Sequence, residues 1–552
     1  MIGILFATAG AAPLMDSLAT QLERAQGVFA EQSEAPHYIA LAITEEHSLT
    51  LSANAGTIEL RDEDTSRWLD VDLRVGSPAL DSTHPLRGFS AMQGESRQRV
   101  RLPLDDGYAL DHALSRELDA RYREAAEHMV VLRTNQQVLV EEESSADDFE
   151  PRPPVTDSIE IHTPEVDIAL WEDRLRAASA RADRSPDVHT DQVRLSVITQ
   201  RRHFLDTEGT SLVDGRTHAR LLLDLSTTAE DGDEVRVFDA FDVHDPAQLP
   251  TELDAWVDAQ VQRLEALREA PRGEPYSGPV ILQGRAAAVF FHEVLGHRVE
   301  GHRQKREDEG KTFAEHVGEP ILPPFIKVVD DPRVPRLEGV DLNGFYRYDD
   351  EGTPAMPAIL VDDGVFSGFL MGRSPLPNGV RTNGHGRRST GNPPTSRMGN
   401  TLVSASKTLS SAALREQLLA QVRAQGLEYG TIVDDIEGGF ALTGRMMPNA
   451  FNIRAVASWR VYADGRPDEL IRGVDLVGTP FAAFSNLLAA DDTPKVFNGT
   501  CGAESGWVPV SAVAPAILFE RLEFQLKEKG QDRPPLLPKP HSPNDGSAEA
   551  SP

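Results

Sequence analysis

At 552 residues the chain is long enough for two or more domains, each with its own core. Its 55 Lys and Arg against 87 Asp and Glu leave a formal charge of −32, which repels phosphate backbones and anionic lipid and argues against a nucleic-acid or membrane-surface role. No apolar run reaches the length of a membrane span, and a single cysteine, Cys501, excludes an internal disulfide framework.

Segment 1–11 has a short apolar core followed by Ala9-Gly10-Ala11, the small-residue pattern of a signal cleavage site, but no Lys or Arg precedes it. A cytoplasmic protein is the first expectation and an exported, periplasmic one the alternative. Leu14, Leu18, Leu22, Ala25 and Phe29 recur at helical spacing and predict an amphipathic helix. Four short strands, His37–Thr44, Ser48–Ala53, Thr57–Arg61 and Trp68–Val75, are then expected as a meander. From Tyr108 to about Gln136 the pattern turns helical. Residues 141–154 are acidic and proline-rich and read as a solvated loop. Thr163 followed by Pro164 marks another helix start, a capping hydroxyl before proline at the first helical position. Val193–Val243 reads as strands, and Thr251 opens a further amphipathic helix. Residues 12–272 are therefore expected to form an α+β domain, with an antiparallel sheet and long helices and no catalytic cluster.

Beyond it, Gly278–Leu282 is a short strand feeding a helix at about Gly284. Short strands follow over Ile326–Val329, Ala358–Val361, Val365–Met371, Tyr429–Val433, Gly439–Leu442, Ile453–Tyr462 and Glu469–Asp475, with one helix at Ala412–Ala424. Such a run predicts a mainly β domain over 273–530 with bent sheets. Residues 531–552, rich in Pro, Ser and charge, read as a disordered tail.

The chemistry concentrates in Phe290-Phe291-His292-Glu293-Val294-Leu295-Gly296-His297-Arg298-Val299-Glu300-Gly301-His302. Two imidazoles are common zinc ligands, and a carboxylate beside the first is placed to handle the proton of a metal-bound water. His292 and His297 are five apart, however, where the familiar zinc-protease helix spaces its histidines by four. On a regular helix positions five apart diverge by roughly 140°. A π-bulge would bring them to one face, and Gly296 would tolerate the distortion. Cys501, in the glycine-rich turn Asn498–Gly506, is the candidate third ligand because a thiolate is a soft donor suited to zinc. Glu300 and His302 are rival third ligands on the motif itself. The fold class expected overall is α+β: the N-terminal α+β domain, then the mainly β catalytic domain carrying a buried zinc-binding helix.

His-Glu-x-x-x-His at 292–297, with Gly296 and Glu300, resembles the signature of the TldD branch of the TldD/PmbA metalloprotease family. Gly384-His385-Gly386-Arg387-Arg388, then Pro394, Arg397-Met398 and Asn400, Glu437-Gly438-Gly439, and Asn498–Val510 are similar to further family segments in the same order, with a weaker echo at Arg202–Thr210. The resemblance implies zinc held by His292, His297 and Cys501, with Glu293 as catalytic acid/base. It also implies a dimer, with itself or with a PmbA/TldE-like relative, that cuts unfolded peptides taken up as an added β-strand in an enclosed chamber. The expected reaction is zinc-assisted peptide hydrolysis: the metal polarises the scissile carbonyl, and Glu293 moves the proton from water to the leaving amine. His385 and Arg387 are candidate oxyanion stabilisers, or else fix a loop, and Glu300 is a candidate to orient a histidine ligand. A non-catalytic partner or scaffold subunit is the alternative, and a metal-dependent hydrolase of something other than peptides a third reading.

Overall fold

In a computed structural model, the described residues are 11–86, 99–138, 146–306, 309–441, 443–445 and 450–527. Most of the expected signal segment and the whole of the expected tail lie outside them. Residues before 244 build one eight-stranded sheet, mostly antiparallel, around the long strands Pro36–Asn54, Thr57–Ser77, Thr190–Asp206 and Ser211–Thr228. The expected meander of four short strands is instead one long hairpin, Pro36–Asn54 against Thr57–Ser77. The polar stretches Glu45–Ser48 and Asp62–Ser66, which look like breaks, are paired across the hairpin (Glu45 with Arg67, Ser48 with Asp64), so the ladder continues through them.

Helices cover both ends of this sheet. Ala11–Phe29 buries Leu14, Leu18, Leu22, Ala25 and Phe29 against Tyr108–Val138, as the spacing requires. Ile168–Ala182 and Asp254–Glu269 pack on the Val193, Val197, Leu221 and Leu225 side. The third helix starts four residues after Pro164, at Ile168, because the Asp167 carboxylate caps the Leu170 N–H. The fourth begins at Asp254 rather than at Thr251. Within the expected solvated loop, Asp148 and Phe149 are instead buried at 2% exposure, and the Arg373 guanidinium stacks over the Phe149 ring at 4.1 Å.

From Tyr276 on, the chain forms a seven-stranded and a six-stranded sheet with two small ribbons, so the mixed α+β class with a mainly β second half holds. The expected pair Tyr429–Val433 and Gly439–Leu442 is a single bulged strand, Tyr429–Ala441. Val365–Met371 is a strand only over Val365–Phe366. The two halves interlock through buried arginines: Arg202 is bidentate on Asp214 at 2.8 Å and donates to the Asp349 carbonyl at 2.7 Å, and Arg373 donates to Glu208 at 2.6 Å.

Candidate metal centre

The motif helix, Gly284–Val294, is only 11 residues long, too short to be stable alone. Burial holds it: every residue except Arg285 is buried, and Phe290 meets Phe519, Phe451 and Phe484 edge-on at centroid distances of 5.1, 5.7 and 6.1 Å. Each such ring contributes about 1.5–3 kcal/mol on leaving water. A helix apolar on all sides has no solvent face to offer, which suits one running through a core.

The expected π-bulge is not there. The helix stops at Leu295, whose N–H still bonds the Phe291 carbonyl at 3.0 Å, and the chain tightens into a 3₁₀ turn over Gly296–Val299. Arg298 makes the break tolerable. Its guanidinium donates to the carbonyls of Glu293 (2.8 Å) and Val294 (3.2 Å), which satisfies helix-end acceptors with positive charge. Gly296 is required by contact and not by a left-handed backbone: a Cβ there would lie 2.0 Å from Met398 Sδ. Ending the helix lets His297 turn back, and its ring centroid lies 5.1 Å from that of His292.

Cys501 lies on the strand Lys495–Ala503, opposite Val508, and not in a turn as expected. Its Sγ is 3.4 Å from His297 Nε2. Ligand atoms of His292, His297 and Cys501 all fall within 4.8 Å of one another, the one such trio among the described residues. Glu300 and His302 stand outside it. Burial alone would push the thiol up and the imidazoles down, yet mutual attraction prevails: Cys501 is held well below its ordinary range, His297 well above, and His292 above. Glu293 Oε2 and His292 Nδ1 are buried without hydrogen-bond partners, and Glu293 Oε2 lies 3.8 Å from His297 Nε2. Two nitrogens, one sulfur and an orphaned carboxylate oxygen fit a metal of zinc's preferences.

Residues 275–526 match the model of the PmbA/TldA metallopeptidase C-terminal domain. The second half of the chain is thus similar to the TldD/PmbA family. A metalloprotease of Methanothermobacter thermautotrophicus is 27% identical over 333 residues, 57% of this chain and 65% of that protein. A metalloprotease TldD homolog of Haemophilus influenzae is 27% identical over 252 residues, 44% and 47% of the two chains. The chain thus spans about half to two thirds of the length of these relatives. The solved TldE of Thermococcus kodakarensis shares the fold at 16% identity and TM-score 0.60, covering 92% of this chain and 99% of that one. A Thermotoga maritima structure does so at 13% identity and TM-score 0.61, covering 92% and 100%.

Around this trio, Glu300 is fully buried, with Oε2 3.4 Å from His297 Nδ1. It also accepts from Arg303 Nε at 3.0 Å and Arg397 Nε at 3.2 Å. Burial opposes its charge, but His297, Arg303 and Arg397 hold its carboxyl well below the usual range. Arg397 donates to the Cys501 carbonyl at 2.7 Å and so ties the motif turn to the cysteine strand. Arg298, Arg303 and Arg397 were not legible as site residues; the only signal was their place inside or beside the motif segments. Gly439 has a similar standing: a Cβ there would sit 2.8 Å from Glu293 Cγ, so glycine makes room for the carboxylate.

Of the other candidates, His385 and Arg387 are engaged elsewhere. His385 is fully buried, with Nε2 3.2 Å from Asp330 and Nδ1 2.8 Å from Asn383 Oδ1. Arg387 donates to the Met398 carbonyl and lies over the Tyr346 ring at 4.8 Å. His302 stands outside the trio, 3.6 Å from Glu504, with both ring nitrogens buried without a hydrogen-bond partner.

Proposed function

We propose that this chain is a zinc-dependent peptidase of the TldD type that hydrolyses peptide bonds in unfolded or extended peptides. The observation that carries the reading is the convergence of His292, His297 and Cys501 beside a glutamate oxygen with no hydrogen-bond partner. Three protein donors leave room for a fourth ligand, which favours a catalytic over a closed structural site. When bound, zinc supplies Lewis-acid polarisation of the scissile carbonyl and an acidified water.

His297 presents Nε2 to the site while Glu300 holds Nδ1, which fixes its tautomer and raises its basicity. Glu293 accepts a proton from the attacking water and delivers it to the leaving amine. Arg397 positions Cys501 through its carbonyl. Residues 273–530 carry this chemistry and residues 12–272 supply the sheet beside it. The relatives named metalloprotease support the reaction class, and the TldE-like fold supports a homodimer or a heterodimer with a PmbA/TldE-like relative. No described helix is long and apolar enough to cross a membrane. A cytoplasmic location remains the reading, with export as the alternative. The partnerless Glu293 oxygen weighs against the scaffold alternative.

Glu293→Gln should retain zinc in elemental analysis and lose cleavage of an unstructured peptide library by at least about a hundredfold, within the range for a general acid/base. Cleavage at the wild-type rate would remove Glu293 from the mechanism.

A further inference from the structure

The sheet of the first half meets the strand pair that walls the metal centre at a cavity of about 420 Å³. Arg194, Arg220 and Arg236 enter it from three adjacent strands, Arg454 faces them, and Asp224 and Glu437 supply the opposing charge. Four guanidiniums against two lining carboxylates leave a net +2, reduced to +1 by Asp242 beside Arg220, in a chain of formal charge −32. Those carboxylates are already engaged: Arg236 is bidentate on Asp224, and Glu437 lies 3.6 Å from Arg236 and 3.7 Å from Arg454. Arg194 donates through Nη2 to Gln192 at 3.0 Å, but its Nε is buried without a hydrogen-bond partner. Arg220 Nε is likewise buried without one, 3.8 Å from Asp242. The guanidiniums that line the cavity carry a planar donor geometry that matches a carboxylate.

The cavity lies along the strand that borders the proposed catalytic carboxylate. Gly438 pairs with Arg454, and the next residue, Gly439, borders Glu293. Two strand residues span about 7 Å, so Glu437 is about two peptide residues from the proposed catalytic carboxylate.

We propose that this cavity is a carboxylate-binding subsite, taking an anionic group of the peptide substrate, either its C-terminal carboxylate or an Asp or Glu side chain. The proposal rests on the peptidase reading for its substrate, but its test is binding and does not need turnover. The protein's overall charge repels anions, so a preference for them has to come from a local site.

Fluorescence anisotropy with the full-length Glu293→Gln chain, zinc-loaded, would compare three labelled unstructured peptides. One has a free C-terminal carboxylate and no acidic side chain, one is its C-terminal amide, and one is that amide with a single internal Glu. One or both carboxylate-bearing peptides should bind about tenfold tighter than the plain amide, one charge-assisted contact's worth. Which of the two gains identifies the source of the carboxylate. Arg220→Gln with Arg454→Gln should abolish the preference and leave affinity for the amide unchanged. If that pair fails to fold, Arg454→Gln alone, at a half-exposed side chain, must still shrink the preference. Equal affinity for the three peptides, binding of none, or a preference that survives these substitutions would overturn the proposal. Wild-type protein that binds the carboxylate peptide but cleaves nothing would count against the peptidase reading alone.

Discussion

His385 and His297 both sit beside acidic groups, and of the two only His297 lies in the candidate metal centre. His385 has both ring nitrogens satisfied within its own neighbourhood, by Asp330 and Asn383. His297 is tied on one side by Glu300 and on the other faces a thiol, next to a second imidazole whose Nδ1 has no hydrogen-bond partner. A histidine that closes all its hydrogen bonds holds a fold together; one whose second nitrogen is turned toward another ligand-type atom is placed to share a cation with it. The same contrast separates Arg387, bonded to a carbonyl and stacked on Tyr346, from Arg397, which links Glu300 to the Cys501 carbonyl.

The contrast breaks first at the cysteine. Cys501→Ala should lose bound metal on dialysis while His385→Gln keeps the wild-type content, measured by elemental analysis on both proteins. Full retention by Cys501→Ala would move the third ligand elsewhere. Glu300→Gln should weaken metal affinity about 10–100-fold, the usual consequence of removing a carboxylate behind a ligand histidine, read by competition with a chromophoric chelator. It also strips Arg303 and Arg397 of a shared buried partner, so the melting temperature should fall as well.

Gly296→Ala tests why the helix ends where it does. Its new methyl would meet Met398 Sδ, at a cost of about 1–3 kcal/mol in denaturant unfolding, and Met398→Ala should recover part of the loss if contact is the cause. A glycine needed only for backbone freedom would show no such rescue.

A further effect concerns pH, and it sits in the region of His385. Gly386 N–H donates to Asp349 at 2.9 Å. Burial and then the neighbouring Glu351 push Asp349 up to about 7, from an ordinary 3.8. A carboxyl raised in the folded state contributes stability that is fully present below about pH 4 and is lost as the pH rises through about 7. Asp349→Asn should therefore flatten the dependence of melting temperature on pH between about 4 and 7. Glu300, held low, works the other way: its contribution is present above about pH 4.5 and lost on acidification through its folded value.

The helices were legible where apolar residues repeat, because burial of one face depends on spacing alone: Leu14 to Phe29 and Tyr108 onward lie as read. The long first hairpin was not, since its polar middle is stabilised by pairing between residues distant along the pattern. His292, Glu293, His297 and Cys501 could be named because their side chains carry rare chemistry in an apolar setting. Arg194, Arg220, Arg236 and Arg454 could not, because arginines scattered over more than 250 positions have no period; their convergence belongs to the sheets.

The sequence by itself determined the candidate donors and the apolar helix that carries His292 and Glu293, since these follow from residue type and local burial. The way five residues of separation bring two histidines together was a tertiary decision. A helix can be widened or ended, and here it ends, because Arg298 supplies the hydrogen bonds that an interrupted helix lacks and Met398 fills the space beside Gly296.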